Sequence, residues 1–147
     1  MSGLVLLLSG PNLDLLGQRQ PEIYGPATLE EHVVAATAAA AEAGLSVEHV
    51  QSNHEGVLVD AIHAARSRAA AIVVNPGALS HYSWSLHDAL ATFDGPVVEL
   101  HISNPMAREE WRRTSVVSPV ATATIAGLGG YGYVVAMAAV AHLLGRS

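Results

Sequence analysis

Lysine and cysteine are absent from the 147 residues of this chain, and all seven of its basic residues are arginines. Without lysine, the chain cannot form a lysine Schiff base or the phosphate-binding loop that ends in Gly-Lys-Ser/Thr. Without cysteine, disulfide frameworks, thiolate zinc sites and thiol nucleophiles are excluded. Any chemistry must therefore come from other polar side chains.

Charge is scarce as well, since only 14% of the residues are charged and the formal net charge is −6. Little is available to neutralise a run of phosphates, so we expect no nucleic-acid partner. Residues 4–8 are apolar but lack a basic leader, and the uncharged stretch 114–141 is interrupted by proline and glycines. We expect one soluble, cytoplasmic domain, residues 1–147, without a membrane partner.

Short β-rich runs alternate with helical stretches along the chain. This alternation predicts an α/β fold, an open parallel five-stranded sheet with helices on both faces. A capping box at Thr28 opens the first long helix, which stops at Gly44. The predicted strands are residues 4–9, 45–51, 70–75, 96–101 and 122–126, and the later predicted helices are 56–68, 83–92 and 130–144.

Polar and turn-forming residues follow the first four predicted strands, where ligands bind in such sheets. The stretch 10–27 contains no convincing helix or strand and exceeds the usual length of a connection, which predicts a binding loop or lid. The segments in question are Gly10-Pro11-Asn12, Asn53-His54-Glu55, Asn75-Pro76-Gly77 and His101-Ile102-Ser103-Asn104.

Two pairs of residues have spacings suited to acid–base chemistry. Arg19 and Tyr24 lie five positions apart, and a neighbouring guanidinium favours the phenolate form of a tyrosine, although a packing role for Tyr24 stays open. Glu99 and His101 point to the same face of a strand, where the carboxylate can orient the imidazole. A solvated pair at a strand end is the alternative.

Other motifs allow two interpretations each. The cluster of Arg108, Arg112 and Arg113 indicates either an exposed turn or an anion site. The glycine-rich run 127–132 matches a dinucleotide-binding pattern but lacks the following acidic strand, so close helix packing is favoured. The eight histidines show no H-E-x-x-H spacing, and we expect no metal site.

Several motifs, in the same order, closely resemble those of the type II 3-dehydroquinases, and the resemblance runs almost from end to end. They are Gly10-Pro11-Asn12-Leu13, Arg19-x-Pro21-x-x-Tyr24-Gly25, Gln51-Ser52-Asn53-His54-Glu55-Gly56, Asn75-Pro76-Gly77-Ala78, Glu99-Leu100-His101-Ile102-Ser103-Asn104 and Ala107-Arg108-Glu109-Glu110.

The resemblance implies a flavodoxin-like fold and the anti elimination of water from 3-dehydroquinate, through an enolate, to 3-dehydroshikimate, without metal or cofactor. The reaction serves aromatic amino-acid biosynthesis in the shikimate pathway or quinate catabolism. By matching position, Tyr24 is expected as the base, Arg19 as the cation that keeps it ionised, and Asn12 as a donor near the enolate oxygen. His101, oriented by Glu99, is expected to protonate the departing hydroxyl.

The resemblance also implies a set of substrate-binding residues. Asp88 matches a position that reaches a neighbouring subunit's site, which implies a homo-oligomer, a dodecamer built as a tetramer of trimers. Arg108 matches an arginine of the lid. The substrate-binding set is Asn75, Gly77, Ala78, His81, Asp88, Ile102, Ser103, Arg108 and Arg112.

A flavodoxin-like module that binds flavin or transduces a signal is the competing hypothesis. A phosphorylated receiver needs a lysine, which is absent. A flavin site favours a Ser/Thr-rich loop after the first strand, where this chain has Gly10-Pro11-Asn12-Leu13.

Overall fold

The computed structural model describes residues 2–146 and contains a parallel sheet of five strands within that range. The predicted strands and long helices are confirmed, with boundaries that shift by at most three residues. The strands are β1 (Leu4–Ser9), β2 (Ser46–Gln51), β3 (Ala71–Asn75), β4 (Val97–His101) and β5 (Ala123–Ala126); the helices are α1 (Pro21–Tyr24), α2 (Leu29–Glu42), α3 (Glu55–Ala65), α4 (Trp84–Ala91) and α5 (Tyr131–Leu143).

The strand order is β2-β1-β3-β4-β5, and every neighbouring pair is parallel. β1 and β3 lie inside the sheet and are buried on both faces, which explains their continuous apolar sequences. One core packs the sheet against α2 and α5, and the other packs it against α3 and α4. The predicted doubly covered, flavodoxin-like sheet is therefore confirmed.

Helix α2 begins where the capping box predicts. The Thr28 side chain accepts a hydrogen bond from the Glu31 backbone N–H at 3.2 Å. Such a cap contributes about 1 kcal/mol by satisfying an amide that has no partner within the helix. The cap therefore marks the end of the segment, residues 10–27, that connects β1 to α2.

That segment, residues 10–27, is more regular than the sequence predicts. It contains a 3-10 turn, Leu13–Leu15, and the single-turn helix α1, which ends at Tyr24. Pro21 at the start of α1 supplies a φ already suited to a helix, and one turn is too short to leave a periodic pattern. The expectation of no helix here was wrong.

The structure confirms the predicted close helix packing at the glycine-rich run 127–132. A Cβ at Gly130 would collide with the His32 imidazole of α2, so only glycine lets α5 approach α2 this closely. No helix among residues 2–146 is long and apolar enough to cross a membrane.

Candidate active site

A cavity of about 130 Å³ opens at the carboxyl ends of β1, β3 and β4. It brings together residues that lie up to 100 positions apart in the sequence. The predicted site residues that line it are Asn12, Arg19, Tyr24, Asn75, Gly77, Ala78, His81, His101, Ile102, Ser103, Arg108 and Arg112.

Two predicted site residues lie elsewhere. Glu99 is behind His101 and does not line the cavity itself. Asp88 is exposed on α4, away from the cavity of its own chain. The location of Asp88 leaves its predicted contact with a neighbouring subunit untested.

Two arginines surround the phenol of Tyr24. An Arg108 Nη1–H donates to the Tyr24 hydroxyl at 3.0 Å, and an Arg19 Nη2–H reaches the same oxygen at 3.5 Å. Both guanidinium groups also lie over the ring, 4.8 Å from its centroid for Arg19 and 5.3 Å for Arg108. Two positive charges therefore lie against the phenol oxygen and ring.

The sequence predicted only Arg19 as the partner of Tyr24, because the two residues share one segment. The closer hydrogen bond comes from Arg108, 84 residues away, which also donates to the Ser103 hydroxyl at 3.1 Å. No local spacing could reveal this contact, because the fold alone brings the segment after β4 next to α1.

Asn12 is held in an unusual backbone conformation. Its φ is 68°, in the left-handed region that asparagine tolerates better than most residues. The Asn53 side-chain oxygen accepts the Asn12 backbone N–H at 2.9 Å, and Gln51 donates to the same oxygen at 3.3 Å. The loops after β1 and β2 are therefore joined at Asn12.

The Glu99–His101 pair is confirmed as a direct contact. The Glu99 Oε2 lies 2.6 Å from the His101 Nε2, and the glutamate is only 1% exposed. The hydroxyls of Ser115, Ser118 and Thr124 donate to the same carboxylate at 2.8, 2.5 and 3.5 Å. Four donors thus surround one buried carboxylate.

These donors decide the charge of Glu99. Burial alone would raise the pKa of the carboxyl group, but hydrogen bonds from His101, Ser118 and Ser115 outweigh it and hold the pKa below its usual value. The ionised carboxylate in turn fixes the orientation of the His101 ring. The alternative of a solvated pair at a strand end is wrong.

The serines were missed by the sequence analysis. Ser115 and Ser118 lie in an uncharged stretch without strand or helix periodicity, and their spacing of three residues is common in turns. Only the pairing of β4 with β5, which follows this stretch, shows that they surround Glu99.

The arginine cluster divides. Arg112 lines the cavity, and its Nε–H donates to Glu109 at 2.8 Å, with Arg108 3.8 Å from the same carboxylate group. Arg113 is exposed and does not line the cavity. The anion-site interpretation therefore fits the positions of Arg108 and Arg112, whereas the exposed-turn interpretation fits Arg113.

His81 is fixed at the cavity wall. Its Nδ1–H donates to the Thr114 carbonyl at 2.7 Å, and its ring packs edge-on against Trp111. Within residues 2–146, no group of three or more His, Asp or Glu side chains is arranged to hold a metal ion.

Comparison with known proteins gives one consistent result. Residues 3–141 match the family model described as dehydroquinase class II. The chain is 52% identical to "3-dehydroquinate dehydratase 1" of Agrobacterium fabrum, over 97% of this chain and 99% of that protein. It is 53% identical to "Catabolic 3-dehydroquinase" of Verticillium alfalfae, over 93% of this chain and 91% of that protein.

A solved structure shares both fold and sequence. The type II dehydroquinase from Propionibacterium acnes superposes with a TM-score of 0.91 at 44% identity, over 97% of this chain and 98% of that one. Since the family match spans nearly the whole sequence and the fold agrees throughout, the chain belongs to the class II dehydroquinase family.

Proposed function

We propose that the protein is a hydro-lyase that removes water from 3-dehydroquinate to give 3-dehydroshikimate. One observation carries this proposal: a phenol beside two guanidinium groups and an imidazole beside a buried carboxylate line the same small cavity. An elimination needs a base and an acid at separate points of one substrate, and this pair supplies both. Family membership supports the same reaction.

Tyr24 acts as the base in this proposal. Its phenolate takes a proton from the carbon next to the substrate ketone, and the C–H electron pair moves into the carbonyl to form an enolate. Arg19 and Arg108 contact the phenol oxygen and balance the negative charge that it carries in this step. Asn12, held by Asn53, places a hydrogen-bond donor or a water near the enolate oxygen, where charge develops.

His101 acts as the acid. The enolate electron pair returns to form the carbon–carbon double bond, the carbon–oxygen bond breaks, and the departing hydroxyl takes a proton from the imidazolium to leave as water. Because Glu99 holds one ring nitrogen, the other nitrogen is the one that meets the substrate. The carboxylate keeps the imidazole oriented for this transfer.

The remaining cavity residues are proposed to bind substrate. Arg112 and His81 suit the carboxylate and hydroxyl groups of a polyhydroxy acid, since they present N–H donors at the wall. Arg108 has a second role here through its bond to Ser103. The full binding set that we propose is Asn75, Gly77, Ala78, His81, Ile102, Ser103, Arg108 and Arg112, with Asp88 acting on a neighbouring subunit.

The reaction can be tested directly. Purified protein mixed with 3-dehydroquinate should produce ultraviolet absorbance from the conjugated enone product. Tyr24→Phe serves as the matched negative control. Borohydride added with substrate should not inactivate the enzyme, because the sequence offers no lysine to form an imine. Absence of the enone, or borohydride-dependent labelling, would overturn the proposal.

We also propose assembly into a dodecamer, a tetramer of trimers, located in the cytoplasm. The exposed position of Asp88 and the large exposed side chains of Trp84 and Tyr82 on and beside α4 support burial of this face by another copy. Sedimentation should give a particle larger than a trimer. A monomer at micromolar concentration would contradict the assembly.

A further inference from the structure

A buried hydrogen bond leads away from the cavity at the carboxyl end of β3. Asn75, at the end of β3, lines the cavity and is only 3% exposed. Its amide nitrogen donates to the hydroxyl of Tyr133 on α5 at 3.1 Å. Tyr133 is fully buried and does not line the cavity, so the proposed reaction gives it no direct role.

The orientation of the Asn75 amide follows from its two neighbours. The Gly77 backbone N–H donates to the Asn75 Oδ1 at 3.3 Å, which identifies the oxygen end of the amide. The nitrogen end must then face Tyr133, whose oxygen accepts a hydrogen bond from it. Tyr133 and Gly77 together leave one way to place the amide.

The Tyr133 ring is held in place by packing. It stacks on His32 at 5.3 Å between ring centroids with an interplanar angle of 9°, and the close approach of α5 depends on Gly130. The hydroxyl therefore has little freedom to move away from Asn75. Packing and hydrogen bonding both point it at the same amide.

We infer that Tyr133 is a positioning residue, whose hydroxyl orients the Asn75 amide toward the substrate. This inference rests on the proposed function, because its effect is measured on 3-dehydroquinate. Tyr133 touches Asn75 and not the cavity, so its loss should weaken substrate binding more than it slows the chemical steps.

The test is steady-state kinetics with 3-dehydroquinate on Tyr133→Phe, which keeps the stacked ring and removes only the hydroxyl. We expect KM to rise about three- to ten-fold, as loss of one hydrogen bond predicts, while kcat changes by less than about three-fold. Tyr131→Phe is the matched control: Tyr131 lies two residues earlier on α5 and is exposed, so both constants should stay at wild-type values.

The decisive comparison uses Asn75→Ala as a background. If Tyr133 acts through Asn75, adding Tyr133→Phe to Asn75→Ala should leave KM unchanged. An equal rise in both backgrounds, or no rise in the single variant, would overturn the inference. An inactive wild-type protein would overturn the proposed function instead, and the inference with it.

His32→Ala provides a second variant should Tyr133→Phe unfold, which thermal unfolding would reveal. It removes the ring that stacks on Tyr133 and leaves the hydroxyl present but less firmly held, so KM should rise about two-fold, and only when Asn75 is present. A KM for His32→Ala equal to that of wild type, with Tyr133→Phe unfolded, would also overturn the inference.

Discussion

His101 lies at the end of a strand whose other residues are buried, whereas Tyr24 ends a single-turn helix in the segment between β1 and α2. The glutamate behind His101 accepts hydrogen bonds from four side chains, all on β4, on β5 or in the segment between them. Tyr24 is held mainly by two long arginine side chains. The proposed acid is therefore built into the sheet, and the proposed base lies outside the sheet, where two arginines hold its hydroxyl.

This difference suits the two tasks. A base that must meet a carbon-bound proton benefits from a segment that can close over the substrate and exclude water. An acid that depends on a buried carboxylate for its orientation needs a rigid, fully hydrogen-bonded setting. Substitutions near Tyr24 and substitutions near His101 should therefore have different effects.

The largest expected effect comes from Tyr24→Phe, which removes the base and leaves its surroundings intact. Turnover should fall by at least about 10²–10⁴-fold with KM within a few-fold of wild type. His101→Ala should also lose turnover, but it should still exchange the substrate α-proton in deuterated solvent, measured by NMR. More than about a tenth of the wild-type rate in Tyr24→Phe, or faster exchange there than in His101→Ala, would reverse the assignment.

Removing either arginine should be the next most severe change. Arg108→Ala and Arg19→Ala should each lower kcat about ten- to hundred-fold, as expected for a hydrogen bond to a charged group. Arg108→Ala should cost more, since its contact is the shorter one. Arg66→Ala, at the exposed end of α3, is the control. Equal loss in a Tyr24→Phe background would show that the arginines act independently of the phenol.

Glu99→Gln tests the carboxylate behind His101 through the pH dependence of the unfolding free energy. Because the pKa of folded Glu99 is lowered, its ionised form stabilises the native state above the ordinary glutamate pKa, and this stabilisation is lost as pH falls through the lowered value. The unfolding free energy of wild type should thus fall more steeply on acidification than that of Glu99→Gln. Denaturant unfolding from neutral to acidic pH measures the difference in unfolding free energy between the two proteins. A difference that does not change with pH would contradict the lowered pKa of Glu99.

The smallest effect is expected from Ser118→Ala. It removes one of four donors to Glu99, so three remain to keep the carboxylate ionised. We expect kcat to fall only about two- to five-fold, with a destabilisation of about 1 kcal/mol. Ser2→Ala, far from the site, is the control for loss of a serine hydroxyl. A fall in kcat as large as that measured for Glu99→Gln would mean that the four donors to Glu99 are not redundant.

Much of the sheet could be predicted from the sequence, because buried parallel strands leave continuous apolar runs such as residues 4–8 and 71–74. Capping at Thr28 was equally visible. The pairing of Glu99 with His101 could also be predicted, because a strand places alternate side chains on one face.

Contacts between distant segments were not predictable in this way. The bond from Arg108 to Tyr24 and the serine donors to Glu99 depend on how loops meet at the sheet end, which no local period encodes. Helix α1 was missed because a single turn contains too few residues to show a repeat. The family resemblance, and not the spacing, supplied most of the predicted binding set.

Strand β5 affects how firmly the surroundings of Glu99 are held. It is a four-residue edge strand that pairs only with β4 among residues 2–146, and it carries Thr124 against Glu99. Edge strands of this length open more often than interior ones. Each opening would admit solvent to the carboxylate and break its contact with Thr124, while His101 and Glu99 stay together on β4. The surroundings of the carboxylate therefore depend on an edge strand, and partial opening would alter them before the two cores come apart.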